Sequence, residues 1–342
     1  MVMLEKFNGW PALLAELCDG KNLTADKTES VLSEILSGEA DPSQIAAFLV
    51  ALKVKGETTE EIIGLVRAML NASEPLSLPD GTIDIVGTGG SPQRREAALN
   101  VSTMASFVAA ASGAVVCKHG NRRASSTSGA FDLLDALGLP IEQTPKEVAE
   151  QVNKKNLGFA FAKTFHPAMR FAGPVRAGIG VPTVFNILGP LSHPGRVKRH
   201  LIGTANLKVA RQMAEVLLAN SSERAWIVTG EDGADEISVT APSRIVELKD
   251  GEISEWVLDP MDWGISYFSP ESIKGGSAEE NAEIAQNIFT GIEMGARREM
   301  VLLNAAAALV IAGVVLDIDE GIKKVVESVD NGLVMKLLKS LI

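Results

Sequence analysis

The order of helix and strand patterns along the chain constrains its fold most strongly. The pattern changes only once, from helices alone to strands that alternate with helices. Up to about residue 75 the apolar residues recur at helical spacing, and no strand pattern is present. A turn signal follows at Pro79-Asp80-Gly81, and from there short apolar strands alternate with helices. Such alternation favours an α/β unit with a mainly parallel sheet. We therefore predict a small N-terminal helical domain followed by a large α/β domain.

Capping patterns predict where the N-terminal helices begin. Asp41-Pro42-Ser43-Gln44 offers a cap residue, a proline at the first helical position and a glutamine that can reach back to the cap. Gly56 can end that helix because glycine adopts a left-handed turn at low cost. Thr58-Thr59-Glu60-Glu61 is a second capping box that starts the next helix.

The remaining elements follow from the same rules. The predicted strands are 82–86, 114–117, 200–203, 225–229, 243–248 and 253–258, the last two joined by a hairpin turn at Lys249-Asp250-Gly251. The predicted helices are 101–112, 128–137, 146–154, 278–290, 297–312 and 319–341. We expect the helical domain to span 1–75, with a helical return near 165–195, and the α/β domain to span 79–164 and 196–342.

Charge and apolar length exclude several classes of protein. The 342 residues suffice for two domains, and the net charge of −11 disfavours nucleic-acid binding, which needs a basic surface. An anionic substrate would need local donors or a metal ion. The longest apolar stretch, 300–316, is short for a membrane span and is interrupted by Asn304. Two cysteines make no disulfide framework, and the N-terminus is not a signal peptide, so we expect a cytoplasmic protein without a membrane partner.

A glycine-rich segment follows the first predicted strand. Gly87-Thr88-Gly89-Gly90 allows the backbone to approach a ligand closely, and Asn100-Val101-Ser102-Thr103 opens the next helix with hydroxyl donors at its positive end. Together these suit a phosphate or a diphosphate. A plain tight turn is the alternative, and the segment matches neither a Walker loop nor a dinucleotide fingerprint.

A basic segment follows the second strand. The run from Lys118 to Gly129 carries three cations, an imidazole, an amide and four hydroxyls, with glycines near both ends. A solvated basic loop is the alternative. We favour an anion-binding loop, because the run abuts a buried strand and turns directly into a helix.

An acidic segment and two isolated cations complete the candidate site. The run from Thr229 to Glu236 places four carboxylates beyond another strand, and hard oxygen ligands suit Mg²⁺. An acidic surface turn is the alternative. His166 could approach a substrate, and Arg176 could pair with a carboxylate, although both residue types are often merely structural.

In order and spacing, these motifs resemble the anthranilate phosphoribosyltransferase family. The resemblance covers nearly the whole chain and includes Gly87-Thr88-Gly89-Gly90, Asn100 to Thr103, Lys118 to Arg122, His166-Pro167, 185–190 (Phe-Asn-Ile-Leu-Gly-Pro) and Asp235-Glu236. It implies the nucleoside phosphorylase/phosphoribosyltransferase fold, with the active site at the hinge, and a homodimer formed through the helical domain. It also implies transfer of a 5-phosphoribosyl group from 5-phospho-α-D-ribose 1-diphosphate (PRPP) to anthranilate, with Mg²⁺, in tryptophan biosynthesis.

The resemblance also implies roles for individual residues. The expected PRPP-binding set is Gly87, Gly90, Ser91, Asn100, Val101, Ser102, Thr103, Lys118, His119, Gly120, Asn121, Arg122, Arg123, Ala124, Ser125, Ser126 and Ala130. Anthranilate would contact Gly87, Asn121, His166 and Arg176. Mg²⁺ would bind Ser102, Asp235 and Glu236. The resemblance names no general base.

The chain departs from the family pattern in the segments expected to bind PRPP. Ser91 stands where the family usually has aspartate, the stretch 91–99 is longer than usual, and Ala98 and Ala130 replace hydroxyl residues. Three other functions are therefore weighed: transfer to a related aromatic amine, a pyrimidine nucleoside phosphorylase-like activity, and a non-catalytic nucleic-acid-binding relative. The Asp235-Glu236 pair and Arg176 disfavour the phosphorylase, and the acidic charge disfavours nucleic acid.

Overall fold

The N-terminal part of the molecule is helical. The computed structural model describes residues 4–89, 91, 97–123 and 127–342. A 3-10 helix, Leu4–Phe7, precedes the helices α1 (Gly9–Cys18), α2 (Ala25–Ser37), α3 (Pro42–Lys55) and α4 (Thr59–Asn71). Among the described residues, no strand precedes Ile83, which confirms the expected helical N-terminal region.

Local hydrogen bonds fix the starts and ends of these helices. The Gln44 side chain accepts the backbone N–H of Asp41 at 2.8 Å, and Gly56 ends α3 with a φ of 89°. At the start of α4, Thr58 accepts the N–H of Glu61 at 3.3 Å while Glu61 accepts the N–H of Thr58 at 2.8 Å. These bonds satisfy backbone groups that a helix end otherwise leaves unpaired, so both predicted capping boxes are confirmed.

From Ile83 onward, strands and helices alternate. The strands are β1 (Ile83–Gly87), β2 (Val116–Gly120), β3 (Leu157–Phe161), β4 (Arg199–Gly203), β5 (Arg224–Gly230), β6 (Ser243–Lys249) and β7 (Glu252–Leu258). The helices are α5 (Val101–Ala111), α6 (Ala130–Ala136), α7 (Pro145–Lys155), α8 (Ala162–Phe165), α9 (Gly173–Ile179), α10 (Phe185–Leu191), α11 (Leu207–Ala219), α12 (Ala278–Phe289), α13 (Ala296–Ala312), α14 (Ile318–Asp330) and α15 (Leu333–Lys339). Short 3-10 helices lie at Pro167–Arg170, Pro260–Trp263 and Pro270–Ile273.

The strands form one seven-stranded sheet in the order β3-β2-β1-β4-β5-β6-β7. The first five strands in that order are parallel, and β6 and β7 form an antiparallel hairpin at one edge. The hairpin turns through Asp250 and Gly251, both with positive φ (51° and 81°), which is the backbone a tight two-residue hairpin requires. The predicted mainly parallel sheet and its terminal hairpin are both confirmed.

The structure corrects the sequence analysis in three places. It contains a buried edge strand, β3, and a helix, α11, that the patterns did not predict. The long helix predicted at 319–341 is two helices, because Gly332 adopts a φ of 70° between α14 and α15. A left-handed residue cannot continue an α-helix, so the chain turns there.

Helices cover both faces of the sheet. On one face, Ile83 and Ile85 of β1 belong to a hydrophobic core shared with α5 and α13. On the other face, Ile202 and Ile227 belong to a second core that includes α11, α10 and the N-terminal helices. Burying each such side chain stabilises the fold by about 1.5–3 kcal/mol.

The described residues contain no helix that is both long enough and apolar enough to cross a membrane. The stretch 300–316 lies largely within α13, whose residues from Met300 to Ile311 are buried in the protein core. Cys117 is buried in β2, as expected, Cys18 is exposed, and the two are not bonded to each other.

Candidate active site

Three of the motif-bearing loops meet at one edge of the sheet. Parallel strands end on the same side, so the loops after β1, β2 and β5 lie together. The connections run in opposite directions on the two sides of β1, which places a crevice at its carboxyl end. The glycine, basic and acidic segments therefore converge where an open α/β sheet binds its ligands.

A polar cavity of about 270 Å³ occupies this crevice. Its walls are Val86, Gly87, Thr88, Gly89, Asn100, Ser102, Thr103, Lys118, His119, Gly120, Asn121, Arg122, Arg123, Ser128, Gly129, Ala130 and Asn186. Most of the residues expected to bind PRPP are thus brought together. Val101 is not among them, because its side chain lies in the hydrophobic core. Asn186, from α10, was not among the expected site residues.

Lys118 is held by polar groups although it is buried. Its Nζ donates to the backbone oxygen of Ile85 and, at 3.1 Å, to the hydroxyl of Ser102. The side chain is only 2% exposed and borders the cavity. A cation fixed this way cannot swing out to solvent, so its charge acts on whatever occupies the cavity.

Asp84, inside β1, lies beneath this lysine and was not singled out from the sequence. Its Oδ1 accepts the backbone N–H of His119 at 3.0 Å, and within the described part of the chain Oδ2 has no hydrogen-bond partner. Burial raises the pKa of Asp84 to about 7, although the Lys118 charge opposes that rise. The carboxyl group therefore ties β1 to the start of the basic loop.

The start of α5 and the turn into α6 are tied together by Asn100. Its Nδ2 donates to the backbone oxygen of Ser128 at 3.3 Å, and the Ser128 hydroxyl donates to Asn100 Oδ1 at 2.9 Å. The amide of Asn100 is therefore used within the protein. Thr103 differs: its buried hydroxyl borders the cavity and has no hydrogen-bond partner among the residues the structure describes. A buried hydroxyl left without a partner is costly unless a ligand pairs with it.

Asp132 closes the basic loop. Its Oδ2 accepts the backbone N–H groups of Arg123 at 2.8 Å and Gly129 at 3.0 Å, and its Oδ1 accepts the Arg122 guanidinium at 3.1 Å. Burial opposes ionisation of this carboxyl, but these donors prevail and lower its pKa. Arg122 also donates to Asp135 at 2.9 Å, so its charge is already shared with two carboxylates.

The acidic loop packs directly on the glycine loop. Asp235 is buried, and its Oδ2 accepts the backbone N–H of Gly89 at 3.1 Å. A Cβ at Gly87 would lie 2.9 Å from the same oxygen, and one at Gly203 only 1.6 Å from the Asp235 backbone oxygen. The backbone oxygen excludes a Cβ at Gly203, whereas a Cβ at Gly87 would displace the Asp235 side chain. Glu236 beside it is 7% exposed.

The other two carboxylates of the acidic segment serve the fold. Asp232 accepts the Ser238 hydroxyl at 2.6 Å and the N–H of Ala234 at 3.0 Å, which shapes the loop itself. Glu231 pairs with Arg244 at 3.2 Å near the surface. Of the two expected carboxylate ligands, Asp235 contacts the cavity residue Gly89, and neither Asp235 nor Glu236 lines the cavity itself.

The donor set fits a magnesium ion only in combination with a ligand. Residues 4–89, 91, 97–123 and 127–342 contain no group of three or more His, Cys, Asp or Glu able to hold a metal. Asp235, Glu236 and the Ser102 hydroxyl supply hard oxygen atoms. Because Gly87 carries no Cβ, there is space beside the Asp235 carboxylate. Mg²⁺ commonly takes one or two carboxylates and completes its shell with phosphate oxygens and water, so the residues fit such an ion.

Three histidines cluster beside the cavity. The ring of His119 lies 5.0 Å from that of His166 and 5.8 Å from that of His193, measured between centroids. Burial lowers the pKa of His119 well below its usual value, and it lowers that of His166 to about 4 and that of His193 to about 3. His193 is structural, because its Nε2 bonds to the Cys117 backbone oxygen at 2.9 Å. The cluster is therefore neutral at physiological pH.

Arg176 lies near the same end of the molecule without lining the cavity. Its guanidinium stacks 4.8 Å above the ring of Phe185, next to the cavity residue Asn186. Within the described residues it forms no ion pair, although burial lowers its pKa. A half-buried guanidinium stacked on a ring and lacking a carboxylate is suited to bind a planar anion.

Part of the expected set cannot be placed. Gly90, Ala124, Ser125 and Ser126, and positions 92–96 of the unusually long stretch 91–99, lie outside the described residues. Ser91 is described, and its hydroxyl donates to the backbone oxygen of Gly233 at 2.9 Å. The residue that replaces the family's aspartate thus joins the glycine loop to the acidic loop.

Comparison with known proteins supports this arrangement. Two family models match: the helical bundle domain of a glycosyl transferase family at residues 11–73, and its a/b domain at residues 80–335. Anthranilate phosphoribosyltransferases of Rhodopseudomonas palustris and Rhodococcus jostii are 43% and 45% identical to the chain. The first match covers 97% of both chains, and the second covers 96% of this chain and 91% of its relative.

Solved structures agree. The crystal structure of anthranilate phosphoribosyltransferase from Thermus thermophilus superposes with a TM-score of 0.90 at 38% identity, covering 96% of this chain and 97% of the other. The Saccharomyces cerevisiae enzyme in complex with PRPP and Mg gives a TM-score of 0.88 at 27% identity, covering 97% and 96%. From its sequence, its helical and α/β regions and the loops that meet at β1, the chain belongs to the anthranilate phosphoribosyltransferase family.

Proposed function

We propose that the chain transfers the 5-phosphoribosyl group of PRPP to the amine of anthranilate, giving N-(5-phosphoribosyl)anthranilate and diphosphate, a step of tryptophan biosynthesis. The observation that carries the proposal is the polar cavity formed by the glycine loop, the basic loop and the start of α5, with the acidic loop packed against the glycine loop, in a chain of this family. A phosphorylase-like function or a binding-only function has no comparable support.

The cavity supplies donors for the anionic groups of PRPP. Lys118 provides a fixed charge, the N-terminus of α5 provides the positive end of a helix dipole, and Thr103 provides a hydroxyl that lacks a partner in the described chain. We assign the diphosphate to the glycine loop, the start of α5 and Lys118, which contacts Ser102 there, and the 5-phosphate to the rest of the basic loop.

Asp235, Glu236 and Ser102 would hold Mg²⁺. When bound, the ion neutralises charge on the diphosphate and makes it a better leaving group. The relative from Saccharomyces cerevisiae has been solved with PRPP and Mg, and the oxygen donors of Asp235, Glu236 and Ser102 support the same use here.

Arg176 and Asn121 are assigned to the acceptor. The guanidinium stacked on Phe185 would bind the carboxylate of anthranilate, which leaves the amine directed toward the ribose. His166 and Gly87 would border the ring. His166 is neutral because burial lowers its pKa to about 4, so it contributes shape and hydrogen bonding but no charge.

The chemistry is a substitution at C1 of the ribose. The amine nitrogen bonds to C1 as the bond from C1 to the diphosphate oxygen breaks, and the amine gives up one proton. Negative charge grows on the departing oxygens, where Lys118 and the backbone donors are already in place, so little reorganisation is needed. No residue is assigned as the base.

Two further properties belong to the proposal. We expect a homodimer formed through the helical domain, and we expect the enzyme to work in the cytoplasm. Analytical ultracentrifugation of the purified protein tests the first.

The function is tested by mixing the protein with anthranilate, PRPP and Mg²⁺ and following the loss of anthranilate fluorescence. We expect loss that requires all three additions and disappears when Asp235 and Glu236 are both replaced by alanine. Replacing Glu231 with glutamine gives a matched control, because that carboxylate belongs to the same segment but pairs with Arg244 near the surface. If the folded protein binds PRPP but leaves anthranilate unchanged, the acceptor is wrong, and other aromatic amines should be screened.

A further inference from the structure

We propose that two buried asparagines on the closing helices, Asn281 of α12 and Asn304 of α13, are positioning residues for the two halves of the active site. Neither lines the cavity. Each binds the backbone of one active-site loop from behind. This inference rests on the proposed function, since that function assigns one loop to the diphosphate and the other to the metal.

Asn281 holds the segment that leads into α5. The residue is fully buried, and its Nδ2 donates to the backbone oxygen of Ala98 at 2.7 Å and to Asn100 Oδ1 at 2.9 Å. Asn100 in turn exchanges two hydrogen bonds with Ser128. One amide group therefore controls both the start of α5 and the turn into α6.

The surrounding backbone also indicates that Asn281 acts on the segment before α5. Gly275 donates its N–H to the Ala97 oxygen at 3.0 Å, and a Cβ at Gly275 would lie 2.4 Å from the Ala98 oxygen. The turn before α12 and the turn before α5 are therefore in direct contact. Asn281 also bonds Gly276 just before α12, at 3.3 and 3.4 Å, but its two shorter bonds go to the segment before α5, and Ser277 and Glu280 already form a capping box for α12.

Asn304 holds the acidic loop. Its Nδ2 donates to the Ile237 oxygen at 2.8 Å and its Oδ1 accepts the Ile237 N–H at 3.1 Å, while Nδ2 also donates to the Met300 oxygen at 2.8 Å. Ile237 directly follows Glu236. The amide therefore fixes the backbone next to the two carboxylates assigned to Mg²⁺.

The position of Asn304 argues against a passive role. The residue is 3% exposed, and its helix neighbours Leu303 and Ala305 belong to the hydrophobic core. A polar amide in such a place is unfavourable unless its bonds are made. Both of its bonds outside α13 go to the backbone of one residue, Ile237. Removing the amide would leave that residue's buried N–H and C=O unpaired, so the loop would have to move.

The test compares Asn281→Ala and Asn304→Ala with Asn287→Ala, a control on α12. Within the described chain, the Asn287 side chain makes no hydrogen bond. Calorimetry measures PRPP binding at saturating Mg²⁺ and the Mg²⁺ concentration needed for half-maximal PRPP binding. Steady-state assays measure the KM for anthranilate, and thermal unfolding reports stability.

We expect Asn281→Ala to raise the PRPP dissociation constant about tenfold, since a buried hydrogen-bond partner is lost. We expect Asn304→Ala to raise the required Mg²⁺ concentration by a similar factor, again about tenfold. The KM for anthranilate should change little in both, and the control should match the unmodified protein. Asn281→Leu keeps the approximate volume of the side chain and removes both N–H donors without burying a charge, so it replaces the alanine variant if that one does not fold.

Unchanged binding constants in variants that only lose thermal stability would overturn the inference, because both residues would then merely support the fold. Failure of the unmodified protein to bind PRPP would overturn the proposed function and the inference together. Binding of PRPP without transfer to anthranilate would overturn only the acceptor assignment, and the binding comparison would still decide the role of the asparagines.

Discussion

Asn100 and Ser128 hold each other through two hydrogen bonds, one from each residue, at 3.3 and 2.9 Å. They lie at the start of α5 and at the turn into α6, which are the two segments with the strongest anion-binding character. Because both are buried, the bonds exchange little with water. The two segments therefore form one preorganised surface, a condition for stabilising charge that develops during a reaction.

Replacing the glycines that face Asp235 should have graded effects. Gly87→Ala places a Cβ 2.9 Å from the carboxylate oxygen, whereas Gly203→Ala places one 1.6 Å from the backbone oxygen. We expect the first to raise the Mg²⁺ requirement roughly tenfold through a displaced side chain, and the second to lower stability by several kcal/mol, on the order of a severe core clash. Mg²⁺ titrations of activity and urea unfolding separate the two.

Gly178→Ala is the matched control, because a Cβ there meets nothing within 4 Å and lies inside α9. It should leave activity unchanged and stabilise the helix by about 0.5–1 kcal/mol. Equal effects of Gly87→Ala and Gly178→Ala on the Mg²⁺ requirement would contradict the close approach of Asp235.

Removing the Asp132 carboxylate should open the basic loop. Asp132→Ala leaves the N–H groups of Arg123 and Gly129 without their acceptor and frees Arg122 from one partner. We expect the KM for PRPP to rise about tenfold or more, since two backbone donors lose a charged partner. Asp135→Ala, which removes only an exposed contact of Arg122, should change it less than about twofold. Similar KM values in the two variants would refute this role.

Arg176 should set the preference for a carboxylated acceptor. Arg176→Met keeps much of the side-chain length but removes the charge, so we expect the KM for anthranilate to rise by about tenfold to a hundredfold. The KM for PRPP should stay within about twofold of the unmodified value. Arg170→Met is the control: Arg170 stacks on Phe171 at 4.4 Å but is exposed. If Arg170→Met weakens anthranilate binding as much as Arg176→Met does, the carboxylate lies elsewhere.

Buried histidines should make the protein lose stability in mild acid. The folded pKa is about 4 for His166 and His200 and about 3 for His193, chiefly because burial disfavours the cation. Unfolded histidine has a pKa of about 6.5, so below that pH the unfolded chain binds more protons than the folded one. Stability should fall from about pH 6.5 toward about pH 4, by roughly 1 kcal/mol per histidine per pH unit. Urea unfolding at several pH values measures the slope.

Asp84 contributes with the opposite sign and provides the control. Its pKa is raised to about 7 by burial, so between the unfolded value of about 4 and pH 7 the folded state binds more protons. This group therefore favours folding as the pH falls. Asp84→Asn removes that offset, and the loss of stability below about pH 6.5 should become steeper. An unchanged slope would mean that Asp84 is ionised in the folded protein throughout this range.

Local patterns predicted much of the fold for identifiable reasons. The capping boxes at Asp41 and Thr58 and the Asp250-Gly251 hairpin depend on contacts within a few residues, which a sequence displays directly. The strand β3 was missed because it is only five residues long, Leu157–Phe161, and lies between two helices. All five are buried, so the run shows no alternation that could reveal it.

The candidate site was predictable where one motif supplies several groups, and less so where distant segments meet. Lys118 and Asp235 stand in conspicuous runs, and the structure brings both runs to the same edge. Asp84 and Asn304 are single polar residues in apolar stretches, and Asn281 is one of several polar residues at the start of a helix, so none of the three stands out. The partners of Asn281 lie more than 180 positions away. The sequence shows that Asn304 interrupts an apolar run. Its role depends on the acidic loop, which lies beside it only in the folded protein.

The bond from the Gly89 backbone to the Asp235 carboxylate has a thermodynamic consequence. The two proposed ligands are a divalent cation on the acidic loop and a diphosphate on the glycine loop. Because this hydrogen bond joins the two loops, binding of one ligand changes the free energy of binding of the other. Such coupling is necessarily reciprocal: whatever factor the cation contributes to the affinity for the diphosphate compound, that compound returns to the cation. In a cell with fluctuating metabolite levels, the pair would load together, and partly filled states would be uncommon.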